Sequence, residues 1–442
     1  MIRNFRVLVT VAAQLTAIAG AGAQVASTTS PVAVSPVPPI RPLGPVIRVT
    51  APDLLGSVSS VRPLPGGRLI VNDVTRHRVV LFDSTLTKVT IVADSTSASG
   101  GMFGVQLAGI IPFTGDSTLF VDPQSLSMLV IDGAGKTGRV MAVPRPQDAM
   151  YLIGGPFGTP GFDPQGRLIY RGLARSLKPS TPPTADIPFA IPVLPDSAPV
   201  VRINLESRKL DTIGAFKVMK AIITVSRGDD GGISIQTTLN PMMTLDDWAL
   251  LPDGTVAFVR GSDFRVDWVT PEGVRTSTPK IPFDWQRLTD DDRAVVLDSA
   301  RTAIEKQRAI VRERMTNSTV PVNGAAAARA GGDAGAQPRG AAAPNGMNLP
   351  TVNMVPASEL PDYRPAFQPG ASRGDTEGNL WIRTSKMVNK GAVYDVINRK
   401  GELIDRVLVP QFRVIAGFGV GGIVYMGVLD GTAARLEEAR VR

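Results

Sequence analysis

The chain has no cysteine and only one histidine, His77. Without thiols it cannot be stapled by disulfides, anchored through a lipidated cysteine, or armed with a cysteine nucleophile, so its stability must come from an ordinary core. A lone histidine cannot build a multi-histidine metal cage, and it leaves the serines one partner for a catalytic triad. That partner follows Arg76 in a polar loop and reads as a solvated surface residue. Beyond the N-terminus no run approaches the ~20 apolar residues that a spanning helix needs. Charge is sparse: 19% of residues are charged and the net charge is +8. The basic residues are scattered, without a run interleaved with aromatics, so no nucleic-acid partner is expected.

What is present begins with an export signal. Arg3 and Arg6 form a positive start, 7–19 is mostly apolar, and Ala21, Gly22 and Ala23 suit cleavage before Gln24. The stretch is short for a membrane anchor and carries Gln14, so 1–23 reads as a signal peptide. The mature chain is expected to be periplasmic or secreted, with no membrane span. Residues 24–44 are rich in Ser, Thr, Val and Pro and read as a linker.

The remainder, 45–442, repeats one phrase six times: a tight turn, then a short apolar strand. It reads PGGRLIVND at 65–73, GDSTLFVD at 115–122, PQGRLIY at 164–170, PDGTVAFV at 252–259, EGNLWI at 377–382 and GGIVYM at 421–426. An apolar strand precedes each turn. In most repeats a third strand ends in a turn-forming polar residue, as at Asp83, Asp132, Asn204, Thr270 and Asn398. A fourth strand then runs outward, as in 88–93, 138–143, 274–281 and 403–409. Four short antiparallel strands per unit, spaced by 44 to 50 residues where no insertion intervenes, describe a propeller blade. The last repeat shows only three strands, and 45–50 is predicted to supply the fourth.

This grammar resembles the six-bladed β-propeller superfamily that includes NHL-repeat, TolB-like and gluconolactonase-like proteins. The resemblance implies an all-β fold: six four-stranded antiparallel blades in a single domain, closed by an N-terminal strand. Three insertions fall on one side of such a ring, in second-to-third loops or blade connections. They are a loop at 176–197, a hairpin at 221–239, and 284–361. The last reads as an amphipathic helix capped at Thr289, with Leu297, Ala300, Ile304 and Val311 on one stripe, followed by a disordered Ala/Gly/Pro-rich tract over 316–358.

Candidate binding residues cluster at the ends of second strands: Asp73, Asp122, Arg171, Arg260, Lys386 and Asp430. Gluconolactonase-type hydrolases are similar in holding calcium or zinc at this mouth with Glu, Asn and Asp. Here three positions carry Arg171, Arg260 and Lys386, a poor cage for a divalent cation, so no metal ligand is assigned. The carboxylates also fit ordinary strand ends, and the cations could attract an anionic ligand. The pairs Gly100, Gly101 and Gly154, Gly155 lack the strand–glycine–helix setting of a phosphate loop, and no cofactor is expected. Trp248, Trp268 and Trp381 read as blade packing, and Trp285 as a pin for the helix.

The sequence thus predicts an exported propeller that serves as a binding or interaction scaffold for an unidentified protein or small molecule, with the insertion-bearing face as its binding surface. No residue is assigned a catalytic role, and an enzyme is the lesser expectation. The alternatives are a metal-dependent hydrolase or lactonase centred on Asp73 and Asp122, and a structural component of the cell envelope.

Overall fold

Each turn phrase folds as its residues dictate. Gly254 and Gly378 carry φ of +84° and +85°, values that only glycine adopts freely, and each closes a tight turn between two strands. The turn residues at the ends of third strands act as read. The Asp132 carboxylate accepts from the backbone N–H groups of Ala134 and Lys136, and Asn398 accepts from those of Lys400 and Glu402.

The computed structural model describes residues 37–95, 107–174, 182–184, 193–227, 233–317, 351–431 and 433–441. The expected signal peptide, and most of the loop insertion at 176–197, lie outside them. The described chain is mostly β, arranged in seven sheets. The first comprises Ser60–Pro63, Leu69–Asp73, Arg78–Phe82 and Val89–Asp94. The second comprises Gly109–Pro112, Thr118–Asp122, Ser127–Ile131 and Thr137–Ala142, and the third Gly161–Phe162, Leu168–Arg171, Ser197–Ile203 and Leu210–Lys217. The fourth holds Asp247–Leu250, Val256–Arg260, Arg265–Val269 and Arg275–Ser277. The fifth holds Phe367–Gly374, Leu380–Val388, Gly391–Ile397 and Leu403–Val409. In the sixth, Arg413–Gly419, Ile423–Asp430 and Ala433–Arg440 are joined on the outside by Val46–Val49, which runs antiparallel to Ala433–Arg440. Arg48 fixes this clasp through Glu438, and Thr50 accepts the Leu436 N–H at 3.0 Å.

Within the stretch read as a linker, Ile40–Pro42 forms a strand of its own. It pairs in parallel with Leu403–Val409, and Arg41 is bonded to Asp405.

The sheets pack face to face in chain order. One apolar cluster joins the first sheet to the second through Ile70, Val79, Phe120 and Leu129. Similar clusters join the second to the third, the third to the fourth, the fourth to the fifth and the fifth to the sixth. A further one joins the sixth back to the first through Ala416, Tyr425, Val61 and Phe82. At fully buried positions each large aliphatic or aromatic side chain contributes roughly 1.5–3 kcal/mol, so these interfaces carry the stability that disulfides do not.

The seventh sheet is built from the insertions. Ile222–Arg227 and Ile233–Leu239 form an antiparallel hairpin at 221–239, and Thr351–Met354 adds in parallel to Ile233–Leu239. This corrects the expectation of disorder over 316–358 in its final part. Residues 351–354 are a strand and Ala357–Glu359 a 3-10 turn, because an open hairpin edge offers backbone partners and Val355 and Leu360 have a core to enter. Residues 318–350 lie outside the described ones. The helix Asp290–Asn317 starts with a reciprocal cap. Thr289 Oγ1 accepts the Asp292 N–H at 3.1 Å, while the Asp292 carboxylate accepts the Thr289 N–H at 3.0 Å. Leu297 is buried with Met242, Leu288, Val355 and Leu360, and Ala300 and Ile304 are half-buried. No described helix is long and apolar enough to cross a membrane.

Candidate functional site

Five of the six candidate residues end second strands, and Lys386 lies within Leu380–Val388. The structure engages each described side chain locally. The buried Asp73 carboxylate accepts from the N–H groups of Gly56 (3.0 Å), Ser57 (2.9 Å) and Arg76 (3.3 Å), and from Arg78 Nε (3.1 Å). Asp122 accepts from the N–H groups of Gln124 and Ser125. Both are loop caps at a strand end, the plain reading of such residues.

The cations are likewise occupied. Arg260 lies between Asp246 (2.8 Å) and Asp267 (2.7 Å), with its guanidinium over the Phe258 ring. Burial lowers its pKa, but the hydrogen bonds to Asp267 and Asp246 more than reverse this and hold it above arginine's ordinary value. Lys386 pairs with Asp284 at 3.3 Å. Arg171 sits among the rings of Tyr151, Phe157 and Phe216, at 4.7, 5.3 and 5.8 Å, and burial pulls its pKa down. The side chain of Asp430 lies outside the described residues. No hydrogen bond or ion pair joins two of the described candidates, and no group of three or more metal-ligating side chains stands among the described residues. His77 is half-buried with a left-handed backbone (φ 47°) that closes a short turn, rather than fully solvated.

The feature that sequence reading missed is a cavity of about 430 Å³ walled at the first strands of the first six sheets. Its wall runs through 60–63, 110–113, 159–162, 250–252, 373–376 and 416–418. These segments lie toward the C-terminal ends of the first strands, the side of the short first-to-second turns. Glycine lets the strands approach. A Cβ on Gly374 would sit 2.4 Å from the Leu250 carbonyl oxygen, and one on Gly417 2.7 Å from that of Val61.

The wall is largely apolar, with Ile110, Phe113, Phe162, Leu250 and Phe418, and three charged residues. Asp375 is fully used: its carboxylate accepts from the N–H groups of Glu377 and Asn379, from Asn379 Nδ2 and from Trp381 Nε1. Arg62 donates to the Gly115 carbonyl at 2.8 Å. The Arg373 guanidinium makes no hydrogen bond or ion pair to any described residue, and burial pulls its pKa down. Close by, the buried Asp247 ties the fourth sheet to the fifth by accepting from the N–H groups of Gly370 (3.2 Å) and Ser372 (2.8 Å). Burial pushes its pKa up to about 6, against those hydrogen bonds. One signal existed in the sequence: Arg62 and Arg373 each stand a few residues before a turn phrase, on first strands of apolar and small residues.

No protein-family model matches the chain, and no curated protein matches it. Solved structures with a similar course of chain include a gluconolactonase from Xanthomonas campestris, 11% identical, covering 92% of this chain and 99% of that one, with a TM-score of 0.39. Another is regucalcin, a calcium-binding protein from Agrobacterium tumefaciens, at 11%, 91%, 98% and 0.37 in the same order. A third is the PQQ-bound aldose sugar dehydrogenase from Streptomyces coelicolor, at 11%, 92%, 100% and 0.40. All three are members of the β-propeller superfamily. The propeller grammar of this chain stands on its own sheets, and the chemistry of its site on its own residues.

Proposed function

We propose that the chain is an exported six-bladed propeller, one ring over 45–442 closed by its N-terminal strand, and that it works as a binding scaffold with its ligand on the axis. One observation carries the reading: a cavity of about 430 Å³ is walled at the first strand of each of the first six sheets. That volume falls in the range of small-molecule pockets, which is roughly 300–1,000 Å³. The apolar clusters that run from the first sheet to the sixth and back to the first support the closed ring. Entry is from the side of the short turns, in place of the insertion-bearing face. The local hydrogen bonding of Asp73, which accepts from at least four donor groups, and of Asp122, which caps its own loop, favours binding over metal-dependent hydrolysis.

The test is a small-molecule thermal-shift screen of the mature protein and of Ser60→Trp, which fills the cavity from its wall. Compounds that raise the melting temperature of the wild type should lose that effect in the variant. Stoichiometric calcium or zinc that stabilises the protein and supports lactone hydrolysis, lost in Asp73→Asn, would overturn the scaffold reading in favour of the hydrolase.

A further inference from the structure

The cavity wall joins an apolar surface to one unpaired cation. The other arginine on the wall, Arg62, donates to a backbone carbonyl, and the second-strand residues Arg260 and Arg171 have two carboxylates and three aromatic faces. Arg373 has none, although it is partly buried. Neither nearby carboxylate serves it as an ion-pair partner. Asp375 is consumed by four donors, and each oxygen of Asp247 accepts a backbone N–H of the fifth sheet, so Asp247 reaches Arg373 only through its field.

A half-buried charge without a hydrogen-bonded partner is incompletely solvated, and a ligand that supplies the partner gains from that. Burial pulls the guanidinium pKa down from so high a value that it stays charged at neutral pH. Its planar fork suits two oxygens of one carboxylate. Phe113, Phe162, Leu250 and Phe418 offer an apolar bed for the rest of such a molecule.

We infer that the axial cavity takes a small organic carboxylate with an apolar body, and that Arg373 is its counter-ion. The inference rests on the axial-binding reading above.

Calorimetric titration of the mature protein with octanoate and phenylacetate, against octanamide and phenylacetamide, tests it. The acids should bind at least about tenfold more tightly than their amides, a margin of about 1.4 kcal/mol. Added salt should narrow that margin. Arg373→Met should abolish the preference without lowering the melting temperature, and Arg373→Lys should restore part of it. Equal affinity for acid and amide, no acid binding at millimolar concentration, or unchanged acid affinity in Arg373→Met overturns the inference. If acid and amide bind equally and both are lost in Ser60→Trp, only the choice of ligand class fails. Acid binding that survives Ser60→Trp removes the axial site itself.

Discussion

Arg260 and Arg373 are the same side chain in opposite circumstances. At the end of a second strand, Arg260 lies between Asp246 and Asp267 and completes a local network. On a first strand, Arg373 lines the cavity and meets no described partner. The first arrangement is what a fold does with charge for its own stability. The second leaves a charge available, and that availability, more than position at a loop mouth, marks a site.

Three substitutions break or sharpen this contrast, in decreasing order of expected effect. Gly374→Val attacks the cavity wall directly. Its Cβ would collide with the Leu250 carbonyl oxygen, so the fourth and fifth sheets must separate, at a cost of about 3 kcal/mol or more in urea unfolding. Next come the two arginines themselves. Arg260→Met leaves Asp246 and Asp267 short of a partner and should cost about 1–2 kcal/mol. Arg373→Met removes an uncompensated charge and should change stability by less than about 1 kcal/mol in either direction. Equal losses for the two would erase the distinction.

The smallest effect concerns pH. The folded-state pKa of Asp247 is raised from 3.8 to about 6, chiefly by burial, and that of Asp395 likewise despite its ion pair with Arg406. The stability each contributes is complete below its ordinary value and is lost as pH rises through about 6. The melting temperature of the wild type should therefore fall between about pH 4 and pH 6 and level off above. In Asp247→Asn the fall should be shallower; an identical slope would show that Asp247 does not titrate in this window.

The repeat grammar was legible because its determinants are local. Gly254, Gly378, Asp132 and Asn398 shape their own turns, within four residues of chain. The seventh sheet was half legible: its hairpin announces itself, but Thr351–Met354 pairs with a strand more than a hundred residues earlier, and nothing in its own composition names that edge. The site was less legible still. Strand ends at Asp73, Asp122 and Arg260 could be located, yet whether they are free depends on Gly56, Ser57, Asp246 and Asp267, which only folding brings alongside. Arg373 is the converse, since what distinguishes it is the lack of a described bonding partner for its guanidinium, and sequence patterns record such partners poorly.

Val46–Val49 pairs with Ala433–Arg440 across almost the whole length of the polypeptide. Loop closure on that scale is slow, and its entropic cost is met only once both segments are present. That pairing can form only once Ala433–Arg440 has been synthesised. Until then the sixth sheet exposes an unpaired border. Such an intermediate invites strand exchange between molecules, and a chaperone that shields that border during biogenesis would be aiding the slowest step.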